Sequence, residues 1–206
     1  MAERGRGPSS PSTDGSVRDE DWDSRDLSGQ VFSRVEFLDV DLTEVVASGA
    51  TFEDCVFRGC TFNCATFTET AFTNCTFRRC NFFQVSFTRC KLVGSSFDAC
   101  RFDSLKVEAG DWSFVGLPNA DLRTASFDGA RMREADLSGA RCAGARLTRL
   151  DLSGAALHVV DLTGCDLRGT DLSSLELESA KVRGAIVTWE QATVLVELLG
   201  FDVRAE

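Results

Sequence analysis

The chain has 206 residues and a formal net charge of −10, with 32 carboxylates against 22 lysines and arginines. An acidic balance of this size argues against non-specific nucleic-acid binding. The longest apolar run, within TVLVELLG, is far too short to cross a bilayer, so no membrane role is expected.

Residues 1-21 are rich in Ser, Gly, Pro and charge, and are expected to be a disordered tail. Its opening stretch, MAERGRGPSSPSTDG, has no apolar segment of the secretory kind, and a cytoplasmic location is expected. Trp22 then opens a pattern that is clearest from Ala50 to Phe102. A large apolar residue returns at every fifth position: Phe52, Phe57, Phe62, Phe67, Phe72, Phe77, Phe82, Phe87, Leu92, Phe97 and Phe102. Two residues before each stands a small one, such as Ala50, Cys55, Cys60, Ala65 and Thr70. A helix would scatter such a series around its cylinder, and a strand would throw alternate members to opposite faces. One buried face survives only if each block of five is a short extended piece ending in a bend, and equal pieces joined by equal bends make an all-β solenoid.

The phase runs on through Trp112, Leu122, Leu137, Leu152 and Leu167 to Val187, and back through Leu42 and Phe37 to Leu27. Ala47 puts a small residue where a large one belongs, which predicts a local gap or bulge. Near Trp112 the core changes from Phe with Cys to Leu with Ala, and Phe114 falls at an exposed corner. Seven of nine cysteines occupy the small inward slot, where Cys acts as a small hydrophobe. There is no CxxC and spacings of five or ten match no zinc site, so neither a metal nor a cofactor is expected. Cys60, Cys80 and Cys100 share one column, at a stacking distance within disulfide range, but free structural thiols are the expected state.

Thr188-Trp189-Glu190-Gln191 is a capping box, and a helix is predicted from Trp189 to Leu199, with Gly200 ending it. Residues 188-206 thus follow a repeat domain of 22-187. Trp189, Ala192, Leu195, Val196, Leu198 and Leu199, with Phe201 beyond, form an apolar arc wider than a simple cap needs. The surplus predicts a homodimer joined at this end.

Blocks such as ADLRT, ADLSG, LDLSG and CDLRG make the chain resemble the pentapeptide-repeat family from about Leu27 to Val187. The resemblance implies a right-handed quadrilateral β-helix with twenty residues per coil. Numbering by that coil sorts the outward charges of the second half. Residues 111–119, 131–139, 151–159 and 171–179 share two adjoining sides, which carry Asp111, Glu134, Asp136, Asp151, Asp171, Glu176 and Glu178 against Arg131 and Arg133. The other two sides carry Asp121, Asp128, Asp161 and Asp166 against Arg123, Arg141, Arg146, Arg149, Arg168, Lys181 and Arg183.

Catalysis has little to work with: His158 is the only histidine, and no GxSxG, P-loop or GxGxxG context appears. A binding surface is the expected function, made by the seven carboxylates of the acidic sides. Within the family the chain is similar to the Qnr/MfpA group in its acidic rod, Phe-rich first half and terminal WEQATVLVELLGFDV. That likeness implies a DNA-mimicking dimer that binds the basic DNA groove of gyrase, with antibiotic (quinolone) resistance as an associated property. The projecting loops of many Qnr proteins have no counterpart, since the phase from Ala50 to Val187 has no insertion. The alternative is a scaffold or adaptor solenoid that binds another partner.

Overall fold

The computed structural model describes residues 10–204. The chain winds into a right-handed quadrilateral β-helix closed by one C-terminal helix. The four sides of each coil are numbered here in chain order from Trp22. Every backbone ladder joins residues twenty apart in parallel. Side four runs Gly15–Arg18, Val35–Leu38, Val56–Arg58, Thr76–Arg78 and Ser96–Asp98. Side two is the longest sheet, from Val46–Ser48 to Arg146–Thr148, and side three pairs Val31–Ser33, Thr51–Glu53 and Ala71–Thr73. Side one is joined by single parallel bridges such as Asp41 to Thr61 and Thr61 to Asn81.

Identical residues lie over one another because the register is locked at one coil. Phe37, Phe57, Phe77 and Phe97 stack with centroids 4.7, 4.8 and 4.6 Å apart and nearly parallel planes. Phe32, Phe52 and Phe72 form a second such stack at 4.9 and 4.7 Å. Offset and edge-on contacts between the columns add about 0.5–1.5 kcal/mol per pair beyond burial. The ladder of rings passes through Trp112, whose indole meets Phe87 edge-on, and ends at Phe127, which it also meets edge-on.

Corners need a backbone that turns back sharply. The residue two after each large one adopts positive φ almost throughout, as at Arg34, Asp54, Asn74, Gln84 and Arg89. Glycine takes this place from Gly129 onward at most corners, as its freedom there favours. Gly110 is different. It sits in a small-residue slot with φ +96°, and a Cβ there would lie 2.2 Å from the Cys90 carbonyl oxygen.

Three expectations need correction. Gly15–Arg18 pairs with Val35–Leu38, and Val17 packs against the core, so the stack begins before the boundary set at residue 21. Val17 was in phase all along, but its polar neighbours disguised it. Residues 1–9 of the expected tail lie outside the described residues. Ala47 makes no bulge: Val46–Ser48 keeps register with Thr66–Thr68, and Ala47 is buried opposite Phe67. The small slot also demands more than size. Cys75, Cys90 and Cys100 donate their thiols to the carbonyls of Phe52, Phe67 and Phe77 at 3.4, 3.3 and 3.5 Å. Thr70, Ser95 and Thr170 do the same with hydroxyls, to Ala47, Phe72 and Leu147 at 3.1, 2.8 and 2.7 Å. Cys serves here as a compact donor to a buried carbonyl. Burial pushes Cys90 up to about 11 and Cys165 up to about 12, which keeps both thiols protonated. All nine cysteines are free.

Candidate binding surfaces

The aspartate that precedes a large residue has a local task. Asp136, Asp151 and Asp171 accept the backbone N–H two residues on, from Ser138, Ser153 and Ser173, at 2.9, 3.2 and 2.9 Å. This bond pins the turn as Asx motifs do, and explains why the repeat carries Asp there on every side. Position alone therefore does not mark a binding carboxylate. Pairing does.

On sides one and two of the second half every carboxylate has a cationic partner among the described residues. Asp121 meets Arg123 and Arg141 at 2.8 and 2.7 Å, Asp161 meets Lys181 at 3.7 Å, and Asp166 meets Arg168 at 2.8 Å. Asp128 is bound by Arg149. The Arg123 guanidinium beside Asp121, and Arg168 beside Asp166, hold those carboxyls below the usual range.

Sides three and four differ. Asp111 and Asp151 are paired, with Arg131 at 3.3 Å and Arg133 at 3.4 Å. Burial tends to raise the Asp111 carboxyl, but hydrogen bonds from Ser113 and the Arg131 charge outweigh it and lower it. Ser153 chiefly lowers Asp151. Glu134, Asp136, Asp171 and Glu178 have no ion-pair partner among the described residues, and Glu176 has only His158, at 3.0 Å. His158 is also the first cause of the lowered Glu176 carboxyl. The seven predicted carboxylates thus share two sides but divide into two neutralised and five available.

A second acidic surface lies outside the seven predicted carboxylates. Glu20, Asp21, Asp23, Asp41 and Glu44 gather on side one at the N-terminal end, with no ion pair among the described residues. The same twenty-residue numbering, carried back to Trp22, brings these carboxylates onto one side.

The helix spans Trp189–Leu198, one residue shorter than expected, with Gly200 at φ +89° beyond its cap. Both bonds of the capping box form, Gln191 N to Thr188 Oγ1 at 3.4 Å and Thr188 N to Gln191 Oε1 at 2.8 Å. Gln191 is buried and does more than reciprocate. Its Nε2 donates to the carbonyls of Leu167 and Thr170, each at 2.7 Å, and its Oε1 accepts from Gly169 N at 3.2 Å. Those groups lie on side two just where the next coil leaves the repeat after its Ile186 bridge, so the side chain stands in for backbone that has turned into the helix. Among the predicted dimer residues, Ala192 and Leu195 are half-buried, and Leu195 packs against the core. Trp189, Val196, Leu198, Leu199 and Phe201 are exposed, with Trp189 89% accessible, and Ile186 and Val203 extend the same apolar end.

No group of side chains among the described residues could hold a metal ion, and no helix is long and apolar enough to cross a membrane.

Comparison with known proteins fits this architecture. Residues 80–157 match a family model described as a pentapeptide repeat region, and residues 151–188 one described as pentapeptide repeats. Residues 16–102 match a model of the SV2A/B/C luminal domain. No curated protein matches the chain. Among solved structures, a trypsin-treated form of QnrB1, a plasmid-mediated fluoroquinolone resistance protein, is 21% identical with a TM-score of 0.50, covering 87% of this chain and 97% of that one. Another trypsin-treated form of QnrB1 is 21% identical with a TM-score of 0.49, over 92% of this chain and 99% of that one. HetL, a pentapeptide repeat protein involved in heterocyst differentiation regulation in the cyanobacterium Nostoc sp., is 19% identical with a TM-score of 0.28, over 84% and 89%. At 21% identity the likeness to the first of these is one of fold. The two pentapeptide models, the twenty-residue register and the four-sided coil together place the chain in the pentapeptide-repeat family.

Proposed function

We propose that the chain is a non-catalytic binding protein whose acidic sides imitate duplex DNA and occupy the basic DNA groove of DNA gyrase, as a dimer joined at the C-terminal ends. The carrying observation is the asymmetry of pairing. Five carboxylates without an arginine or lysine partner lie on sides three and four, while every carboxylate of sides one and two in that half is neutralised. Similarity to the Qnr/MfpA group supports gyrase as the partner, and QnrB1 is itself a fluoroquinolone resistance protein. Duplex DNA carries about one charge per 1.7 Å, roughly 23 over the ~40 Å of such a rod. The net charge of −10 falls below half of that, so imitation is confined to the acidic sides. No projecting loop interrupts the repeat, which favours inhibition of gyrase over protection of it from drug.

The test neutralises charge without removing the turn-pinning acceptor, because Asn and Gln keep the oxygen. Purified wild-type protein should inhibit gyrase supercoiling. The variant Glu134→Gln/Asp136→Asn/Asp171→Asn/Glu178→Gln loses most of that inhibition. Asp121→Asn/Asp128→Asn/Asp161→Asn/Asp166→Asn, with the same charge change on the other sides, keeps it. Equal loss from both would mean that net charge alone drives binding. No inhibition by wild-type protein would leave the scaffold role.

A further inference from the structure

We propose that Phe114 is the apolar anchor of the partner interface, inserting its ring into an apolar pocket bounded by cations on the partner protein. This rests on the reading that the acidic sides meet a basic groove, and it adds a contact that DNA itself does not supply. Phe114 stands at the corner between sides three and four, with 55% of its surface exposed. Its φ of +60° is a left-handed conformation, costly for a bulky aromatic and cheap for Asn or Gly. The same corner in other coils carries Arg34, Asp54, Asn74, Gly94, Glu134 and Gly154, none of them aromatic. Folding gains nothing evident from placing Phe there, since the ring packs on no other aromatic side chain.

The surroundings fit a ring meant for another molecule. One coil before, Gly94 presents no side chain of its own, and the Asn74 amide oxygen lies over it, 2.6 Å from where a Cβ would be; one coil after stands Glu134, free of any ion pair among the described residues. Around the corner, Gly116 leaves a shallow groove lined by Arg78, Phe97, Asp98, Pro118 and Asp136. Asp98 and Asp136 also lack ion-pair partners among the described residues, so side four next to this corner offers two carboxylates, against the one Arg78 guanidinium, to a cationic side chain. The Phe114 amide donates to the Arg133 carbonyl at 2.8 Å, which ties the ring's backbone into the stack. A rigidly mounted aromatic loses little conformational freedom on binding, and such residues dominate interface energetics.

The experiment measures binding of the full chain to immobilised DNA gyrase by surface plasmon resonance, over a salt titration. Phe114→Asn suits the left-handed backbone, so its melting temperature is expected to equal or exceed that of wild type. Its affinity is expected to fall about 30-fold, mainly through faster dissociation. The ratio to wild type should persist as salt rises, because an apolar contact is not screened, whereas the deficit of the charge-neutralised variant should shrink. Phe83→Asn, at another exposed phenylalanine on side one, should bind within about twofold of wild type. Wild-type binding with Phe114→Asn within about threefold of it overturns the anchor and leaves the gyrase reading standing. A shift in the sedimentation of the free protein on Phe114→Asn also overturns it, assigning the ring to contact between copies. Absence of wild-type binding removes both readings.

Discussion

The strictest demand on any single residue falls at Gly110. The chain there passes so close to the preceding coil that the Cys90 carbonyl oxygen occupies the neighbourhood of a side chain. Trp112, two residues later, is the largest fully buried side chain, and the small slot before it is left empty. Gly110→Ala therefore adds both left-handed strain and a backbone clash that no rotamer relieves. A loss of about 3 kcal/mol or more is expected by urea denaturation. Gly129 is the matched control: its φ is +67° with nothing within 4 Å of a Cβ, and Gly129→Asn should change stability by less than about 1 kcal/mol. The sequence marked the changeover around Trp112. It could not show that Gly110 departs from the other glycines, because close approach depends on the coil above.

The terminal helix is a cap in a specific chemical sense. A β-helix ends in a layer of backbone groups whose partners would belong to the next coil, and Gln191 bonds three of them at once with one side-chain amide. Gln191→Ala should cost about 2–4 kcal/mol, since buried carbonyls left unpaired carry their desolvation penalty. Solenoid coils are coupled mainly to their neighbours, so the loss should appear as earlier hydrogen exchange across residues 162–187, with the Phe-rich half unchanged. Gln191→Glu should be worse, because it turns an acceptor toward two carbonyls. The repeat and the helix were legible because period five and the capping box are local patterns. The task of Gln191 was not, since its partners lie more than twenty residues away. Thiol donation by Cys75, Cys90 and Cys100 was hidden for the same reason, as each acceptor belongs to the coil before.

At the scale of the whole molecule, charge placement and end-to-end joining bear on each other. The coil period was enough to assign the seven carboxylates to two sides. Which of them are free depends on arginines one coil away, as Asp111 and Asp151 show. The free ones, from Glu134 to Glu178, lie in the half nearest the helix. A dimer through the C-terminal ends would bring two such surfaces into one, roughly doubling the length available to a basic groove. Each exposed charge contributes only about 0–1 kcal/mol, so length and number matter more than any one residue. The exposed apolar end supplies the reason to pair. Leu199 and Phe201 are 63% and 64% accessible, whereas Leu195 packs onto the last coil and belongs to the cap. The discriminating variant is therefore Leu199→Asp/Phe201→Asp, which leaves Gln191 and Leu195 in place. Wild-type protein should sediment as a dimer at micromolar concentration and the variant as a folded monomer with an unchanged circular dichroism spectrum. Inhibition of gyrase by the monomer should fall by more than the twofold expected from halving the number of linked surfaces, because the second half of the contact would no longer be tethered. Wild-type sedimentation as a monomer would exclude the joint. A monomeric variant with full inhibition would show that one rod is sufficient.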